Sequence, residues 1–136
     1  TGREVEMARR LYFDSGGTLT SDRSITVAAG RAWGGSTVVY TGTSLVVPEA
    51  VIREWNVPEL SWEDLRRRSE RFMEAANVHL LPPELINRNN QLFVEGCRAL
   101  GIPVEQFPLN LEGCRGSGLC NLGCPNGAKQ GTHRVQ

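Results

Sequence analysis

The stretch GRAWGGSTVVYTG, residues 30–42, carries the feature that decides the local fold, a Gly-Gly pair followed by two hydroxyl residues and a β-branched run. Glycine has no Cβ, so Gly34 and Gly35 let the backbone turn tightly and approach another group closely. Ser36 and Thr37 add hydroxyls, and successive exposed N–H groups in such a turn form a concavity for an anion. A tight turn between a strand and a helix accounts for the same residues without a ligand, so both interpretations stay open.

A second glycine-rich stretch, CRGSGLCNLGCPNGAKQG (residues 114–131), has the spacing C-x5-C-x3-C. Its three cysteines are Cys114, Cys120 and Cys124. A tetrahedral zinc site would need a fourth ligand, for which His133 and Cys97 are the local candidates. Disulfide pairing would leave one of the three thiols over, unless Cys97 joins. An iron–sulphur cluster is held by thiolates from loops that wrap around it, where glycine is expected. A turn-rich loop with unmetallated thiols is the remaining alternative.

Hydrophobic periodicity predicts an α+β fold that is mainly helical, with long loops and few short strands. Helices are predicted over 3–13, 48–55, 61–76 and 89–100, and a strand near 24–28. We expect this strand to have no sheet to join. The apolar faces predicted for the last two helices are Leu65, Phe72, Met73 and Ala76, and Leu92, Phe93, Gly96, Cys97 and Leu100.

Composition limits the classes of partner. The 136 residues carry a formal net charge of zero, which argues against nucleic-acid binding because that function usually needs a surplus of cations. No apolar stretch approaches the ~20 residues of a membrane span. The chain is interpreted as one segment with a strand-and-turn region (1–47), a helical part (48–108) and a Gly/Cys-rich loop (109–136).

Several conspicuous side chains have an ordinary interpretation. The isolated histidines, His79 and His133, are expected on the surface or in loops. Lys129, after a Gly-Ala turn, is expected to be solvated. The tryptophans are interpreted as core or interface anchors, at positions Trp33, Trp55 and Trp62.

The two glycine-rich stretches together resemble the glucose–methanol–choline (GMC) family of flavin-dependent oxidoreductases. GRAWGGSTVV is similar to the family's first signature, in which a small and a basic residue precede Gly-Gly, two small or hydroxyl residues and an aliphatic residue. Tyr40 departs from the signature, because the family usually has Asn or His there. Residues 113–130 resemble the segment that precedes the next flavin-domain element in bacterial GMC dehydrogenases and long-chain alcohol oxidases. Two separated motifs in the right order are more specific than either alone.

The resemblance implies a partial piece of an FAD-binding oxidoreductase fold. The parent enzyme would oxidise an alcohol, a sugar or a similar CH–OH donor by hydride transfer to FAD. The residues implied to approach FAD are Gly34, Gly35, Ser36 and Thr37. Some bacterial sugar dehydrogenases of the family hold an iron–sulphur cluster at the spacing of Cys114, Cys120 and Cys124.

The family's GxGxxG motif and catalytic histidine are not in this sequence. We therefore expect a segment of a longer enzyme that is inactive alone, whose partners are the N- and C-terminal parts of the parent. Two alternatives from other classes are a small metal-binding module centred on the cysteines and an inert structural segment. The latter would form homo-oligomers through exposed apolar faces.

Overall fold

The structure is a computed structural model that describes residues 3–135, and it consists of short helices joined by long loops. The α-helices of this range are α1 (Glu4–Leu11), α2 (Glu49–Trp55), α3 (Trp62–Ala75), α4 (Arg88–Ala99) and α5 (Thr132–Val135). The strands, of two residues each, are β1 (Thr18–Leu19), β2 (Thr26–Val27), β3 (Val78–His79) and β4 (Leu109–Asn110). The prediction of a mainly helical chain with few short strands is confirmed. Within this range, no helix combines the length and the hydrophobicity needed to cross a membrane.

The four predicted helices correspond to α1–α4, and local signals account for where α3 and α4 begin. The Ser61 side chain accepts a hydrogen bond from the Asp64 amide at 3.4 Å, which caps α3. The Asn87 side chain caps α4 in the same way, accepting from the Asn90 amide at 2.9 Å. Each cap satisfies an N–H group that has no partner inside its helix. After α4, Gly101 adopts φ +68°, the left-handed conformation that commonly ends a helix.

The strand predicted near 24–28 is present as β2, but the expectation that it lacks a sheet partner is wrong. β2 pairs antiparallel with β1, in the register Thr18↔Val27 and Leu19↔Thr26. A turn centred on Asp22 brings the two strands together, so the pairing is local to the hairpin. β3 and β4 form a second antiparallel pair, joining segments on either side of α4.

The most buried part of the chain lies where the segment around β4 runs beside residues 128–130. The Gln130 amide donates to the Asn110 carbonyl at 3.0 Å, and the Glu112 amide donates to the Ala128 carbonyl at 2.7 Å. The buried residues of this region are Val39, Gly42, Asn110, Leu111, Ala128, Lys129, Gln130 and Gly131. The core therefore joins the end of the chain to the segment that follows the glycine turn.

Several of the predicted buried faces are exposed. In α3, Phe72 is 51% exposed, and in α4 Phe93 and Leu100 are 64% and 76% exposed. Their helices are amphipathic as predicted, but these side chains remain more than half exposed. Among the predicted core residues of α3 and α4, only Ala76 is buried. Exposed apolar surface of this kind is where other chains or segments bind, so homo-oligomerisation stays a prediction.

The three tryptophans also differ in how far they are buried. Trp62 is partly buried and its indole N–H donates to the Val47 carbonyl at 3.2 Å, so its interpretation as an anchor is confirmed. Trp55 is 56% exposed and Trp33 is 88% exposed, and neither is a core residue. Periodicity and residue type identify an apolar face, but they do not supply the surface that would cover it.

Candidate functional site

The glycine turn, residues 34–38, is built on two consecutive left-handed residues. Gly34 has φ +95° and Gly35 has φ +58°, and a short 3₁₀ turn follows from Gly35 to Val38. The Gly35 amide donates to the Ala32 carbonyl at 2.8 Å, which closes the turn from its N-terminal side. Left-handed conformations are unfavourable for residues with a Cβ, so the backbone itself requires glycine at both positions.

The two glycines differ in what they face. A Cβ on Gly34 would lie 3.0 Å from a Val38 methyl and 3.1 Å from the His133 side chain. This glycine is therefore also required by packing within the chain. A Cβ on Gly35 would meet no atom within 4 Å. Gly35 consequently presents bare backbone to open space, which is the geometry that lets an external group approach closely.

The two hydroxyls after the glycines also have different roles. Thr37 Oγ1 donates to the Gly34 carbonyl at 2.6 Å and accepts from the Thr132 amide at 3.1 Å. Ser36 Oγ accepts from the Gly30 amide at 2.9 Å, and Ser36 is exposed. Because it acts there as an acceptor, the Ser36 hydroxyl keeps its proton available for a ligand. Gly35 and Ser36 thus offer groups to a ligand, while Gly34 and Thr37 hold the turn in place.

A small cavity adjoins the turn and brings together residues that the sequence did not connect. It has a volume of about 200 Å³ and is lined by Trp33, Gly34, Thr132 and His133. Trp33 and His133 were predicted as an anchor and as an isolated loop residue, respectively. The structure confirms that His133 is exposed. It also places His133 beside Gly34, which is 99 positions away in sequence, and no local sequence pattern predicts this proximity.

Lys129 is the residue for which the sequence interpretation is wrong. It is 2% exposed instead of solvated. Its ammonium donates to the carbonyls of Val38 (3.1 Å), Tyr40 and Cys120 (2.5 Å). Burial lowers the pKa of Lys129, and the nearby thiols of Cys120 and Cys124 oppose this shift. Residue type gave no signal for this burial, because two of the three acceptors lie about 90 positions away in sequence.

The cysteine loop, defined as residues 114–124, lies on the other side of Lys129. Burial raises the pKa of the Cys120 thiol, the Lys129 ammonium opposes this, and the thiols of Cys124 and Cys114 add to it. Cys124 has φ +47°, which is rare for a residue with a side chain. Each of the three cysteines is partly buried and is a free thiol, as is Cys97 on α4. None of these four cysteines forms a disulfide in the described part of the chain.

The thiols are close enough to influence one another electrostatically but are not arranged as a metal site. In residues 3–135, no group of three or more His, Cys, Asp or Glu side chains is placed to hold a metal ion. His133, a candidate fourth zinc ligand, packs at the glycine turn instead. The placement of the donors in the described residues therefore gives no support to a zinc site or to the iron–sulphur prediction for Cys114, Cys120 and Cys124.

A larger cleft of about 810 Å³ lies along α4, away from the glycine turn and the cysteine loop in sequence. Its lining includes Leu80, Ile86, Val94, Arg98 and Val104. None of the predicted site residues lines it. Cavity size alone therefore does not identify a functional site here, and the glycine turn remains the better candidate because it combines open backbone with free hydrogen-bonding groups.

The fold and the site define a small α+β unit with an open glycine turn suited to close contact with a ligand. The chain belongs to the GMC oxidoreductase family, whose model matches residues 8–136. The resemblance noted in the sequence is thereby confirmed. No solved structure gives a significant match to the chain.

Relatives from bacteria and plants are similar to most of the chain. An uncharacterized GMC-type oxidoreductase of Mycobacterium tuberculosis is 34% identical over 134 residues, which is 95% of this chain and 21% of that protein. A long-chain-alcohol oxidase of Arabidopsis thaliana is 32% identical over 126 residues, or 90% of this chain and 17% of that protein. A second Arabidopsis long-chain-alcohol oxidase is 35% identical over 121 residues, which is 84% of this chain and 15% of that protein. The chain thus spans about a fifth, or less, of the length of these relatives.

Proposed function

We propose that this chain is part of the FAD-binding unit of an oxidoreductase that oxidises a CH–OH group of an alcohol, a sugar or a similar small molecule by hydride transfer to the flavin. Membership of the GMC family supports the reaction class. The names of the Arabidopsis relatives, long-chain-alcohol oxidases, support an alcohol as the donor. The flavin supplies the redox chemistry when bound, and the protein positions it.

The observation that carries the proposal is the open face of Gly35. Its left-handed backbone and the empty space beyond it let a flat or charged cofactor group approach the main chain. Next to it, the Ser36 hydroxyl proton is available as a hydrogen-bond donor, because Ser36 Oγ already accepts from Gly30. Gly34 and Thr37 keep this backbone in position through their hydrogen bonds with Thr132. These four residues are those that the family resemblance implies.

The proposal assigns cofactor contact to this chain, and not proton transfer. The GxGxxG motif and the catalytic histidine that the family uses are not in the sequence. We therefore propose that turnover requires the segments of the parent enzyme that carry them. The metal-binding module and the inert oligomerising segment remain alternatives. The exposed apolar side chains of α3 and α4 fit oligomerisation, but they fit contact with other parts of a parent enzyme equally well.

Equilibrium binding of FAD, followed by flavin fluorescence, tests the proposal. The informative variant is Gly35→Ala, which places a methyl group on the open face. Gly113→Ala is the matched control, because Gly113 also has a left-handed φ (+65°, against +58° for Gly35) and open space around its Cβ position. Both substitutions impose similar backbone strain, so a difference in binding between them reports on the glycine turn.

We expect Gly35→Ala to weaken FAD binding on the order of tenfold, equivalent to about 1.4 kcal/mol, and Gly113→Ala to leave it unchanged. Equal binding by both variants would contradict the assigned contact. Absence of FAD binding by the unaltered chain would leave the family intact but would show that this unit does not hold the cofactor by itself. Oxidation of a panel of alcohols and sugars by the parent enzyme then identifies the donor.

A further inference from the structure

Lys129 is a buried cation without a carboxylate partner in the described part of the chain. It is the only lysine among fifteen Lys and Arg residues, and it is 2% exposed. The ion pairs of residues 3–135 connect arginines to Asp or Glu on the surface, and none includes Lys129. Moving an ammonium out of water is strongly unfavourable unless its hydrogen bonds and charge are compensated. The compensation must therefore come from neutral groups.

Those groups are main-chain carbonyls. The ammonium donates to the carbonyl oxygens of Val38, Tyr40 and Cys120, so its three N–H donors have three acceptors. The Tyr40 ring lies 5.2 Å from the Lys129 nitrogen and adds a cation–π contribution. The site is thus a small cage of carbonyl oxygens around a compact positive charge, similar in chemistry to carbonyl sites that bind monovalent cations.

A lysine suits this cage better than an arginine does. An ammonium is a compact charge with three donors that rotate to meet acceptors from different directions, whereas a guanidinium is planar and spreads its donors in a fixed fork. Tyr40 and Val38 contribute carbonyls from one segment, and Cys120 contributes one from another. The three carbonyls therefore fit the ammonium of Lys129.

The cage connects the two stretches that the sequence singled out. Val38 and Tyr40 lie at the end of the glycine turn and just after it, and Cys120 lies in the cysteine loop, 91, 89 and 9 positions from Lys129, respectively. We propose that Lys129 is a positioning residue, an internal cation that holds the cysteine loop against the segment leaving the glycine turn. The inference that Lys129 influences flavin contact depends on the proposed function, whereas the inference that it holds the cysteine loop does not.

Hydrogen exchange of single amides tests the effect on the loop. In Lys129→Met the side chain keeps its length but loses its charge and donors. The reporters are the amides of Leu122 and Cys124, which both donate to the Leu119 carbonyl inside the loop. We expect them to exchange on the order of tenfold faster, with the amides of α4 unchanged. Equal acceleration in α4 would indicate general destabilisation and would overturn the proposal, as would unchanged exchange in the loop.

Gln130→Met is the matched control, because Gln130 is the neighbouring residue, is 8% exposed and also has a polar side chain in the core. Its side-chain amide donates to the Ala128 carbonyl, and within the described residues no hydrogen bond joins this side chain to the glycine turn or the cysteine loop. We expect this variant to leave loop exchange unchanged. Loop acceleration equal to that of Lys129→Met would overturn a specific role for the cation.

Chemical rescue separates hydrogen-bond donation to the carbonyls from the effect of a positive charge alone. In Lys129→Ala, added ethylammonium fits the cage and supplies three N–H donors, whereas tetramethylammonium has the same charge and no N–H donor. We expect ethylammonium alone to raise the thermal midpoint and to restore loop protection at equal ionic strength. Rescue by neither cation, or equal effects of both, would overturn the proposal.

Acylation of the unaltered protein provides a test that does not depend on folding of a variant. Lys129 carries the only ε-amine, so mass spectrometry reads its modification directly. We expect acetic anhydride to modify it on the order of 100-fold more slowly in the native protein than in urea. Equal rates in the two conditions would show an accessible amine and would overturn the buried cage.

FAD binding by the same variants distinguishes this inference from the proposed function. If the unaltered chain binds FAD, Lys129→Met is expected to weaken binding while α4 exchange stays unchanged. If the unaltered chain binds no FAD, the proposed function fails for this unit, and hydrogen exchange and rescue still decide the role of Lys129.

Discussion

Thr37 and Thr132 lie 95 positions apart in sequence, and their hydroxyl oxygens are 3.2 Å apart in the structure. Both hydroxyls also donate to one acceptor, the Gly34 carbonyl, at 2.6 Å and 3.2 Å. The glycine turn is therefore fixed by α5, the last helix of the described chain. This contact adds to the bonds that the turn makes with Ala32, Gly30 and Lys129.

Replacing Thr37 by valine is expected to destabilise the protein by about 1–2 kcal/mol. Valine has the same shape but leaves the Thr132 amide without its acceptor, and an unpaired polar group away from water is unfavourable. Urea unfolding measures the effect. Thr26→Val is the control, since Thr26 is exposed on β2, and it should change stability by less than about 0.5 kcal/mol. Equal stability of the two variants would contradict the role given to Thr37.

We expect the substitutions Gly34→Ala and Gly35→Ala to lower the free energy of unfolding by different amounts. Both positions have left-handed φ values, which cost a residue with a Cβ about 1–2 kcal/mol. At Gly34 the new methyl also meets Val38 and His133 at 3.0–3.1 Å, and such overpacking costs a further ~1–3 kcal/mol. We expect Gly34→Ala to unfold at lower urea concentration than Gly35→Ala. The reverse order would show that the open face of Gly35 is filled.

The Asp22 carboxyl should titrate well below its ordinary range. The Thr20 hydroxyl, the Ser24 amide and the Ser24 hydroxyl hydrogen bond to its charged form and lower its pKa from 3.8 to about 2. Because the folded-state pKa is lowered, this contribution to stability is present above pH 3.8 and is lost as the pH falls through about 2. A carbon-detected NMR titration of the Asp22 side chain measures the value.

Ser24→Ala is the matched variant for that titration, since it removes one of the three donors and keeps the Ser24 amide. We expect the Asp22 pKa to rise toward 3.8 in this variant. A pKa near 3.8 in the unaltered protein would contradict the hydrogen-bonded turn between β1 and β2.

The cysteine loop should behave as a set of free thiols. Because the described residues contain no group arranged for a metal, we expect protein purified without oxygen to lack broad visible absorption. A thiol reagent should titrate four cysteines after denaturation, and Cys120 should be slow in the native protein because burial raises its pKa. A brown protein whose colour is lost in Cys120→Ser would contradict this and restore the iron–sulphur prediction.

The local features of the fold were predictable because they depend on neighbouring residues. The caps at Ser61 and Asn87 and the stop at Gly101 follow from groups within three or four positions of a helix end. The glycine turn was located for the same reason, since its left-handed residues need no distant partner to require glycine. Two motifs in the correct order also sufficed to indicate the family, which the matched region confirms.

Burial was less predictable, because it depends on what covers a surface. Phe93 and Leu100 lie on an apolar helix face yet are exposed, whereas the charged Lys129 is buried. Residue type favours the opposite arrangement in each case. The decisive factor is the set of three carbonyls that converge on Lys129, two from residues about 90 positions away and one from Cys120, which hydrophobicity patterns do not encode.

The sequence by itself determined helices α1–α4, the position of the glycine turn and the family of the chain, because each depends on short-range backbone preferences or on a local motif. Only the tertiary structure decided which glycine is open, which hydroxyl is free and why the one lysine is buried. The contacts that hold Thr37 and bury Lys129 form when segments about 90 or more positions apart exchange hydrogen bonds with water for hydrogen bonds with each other.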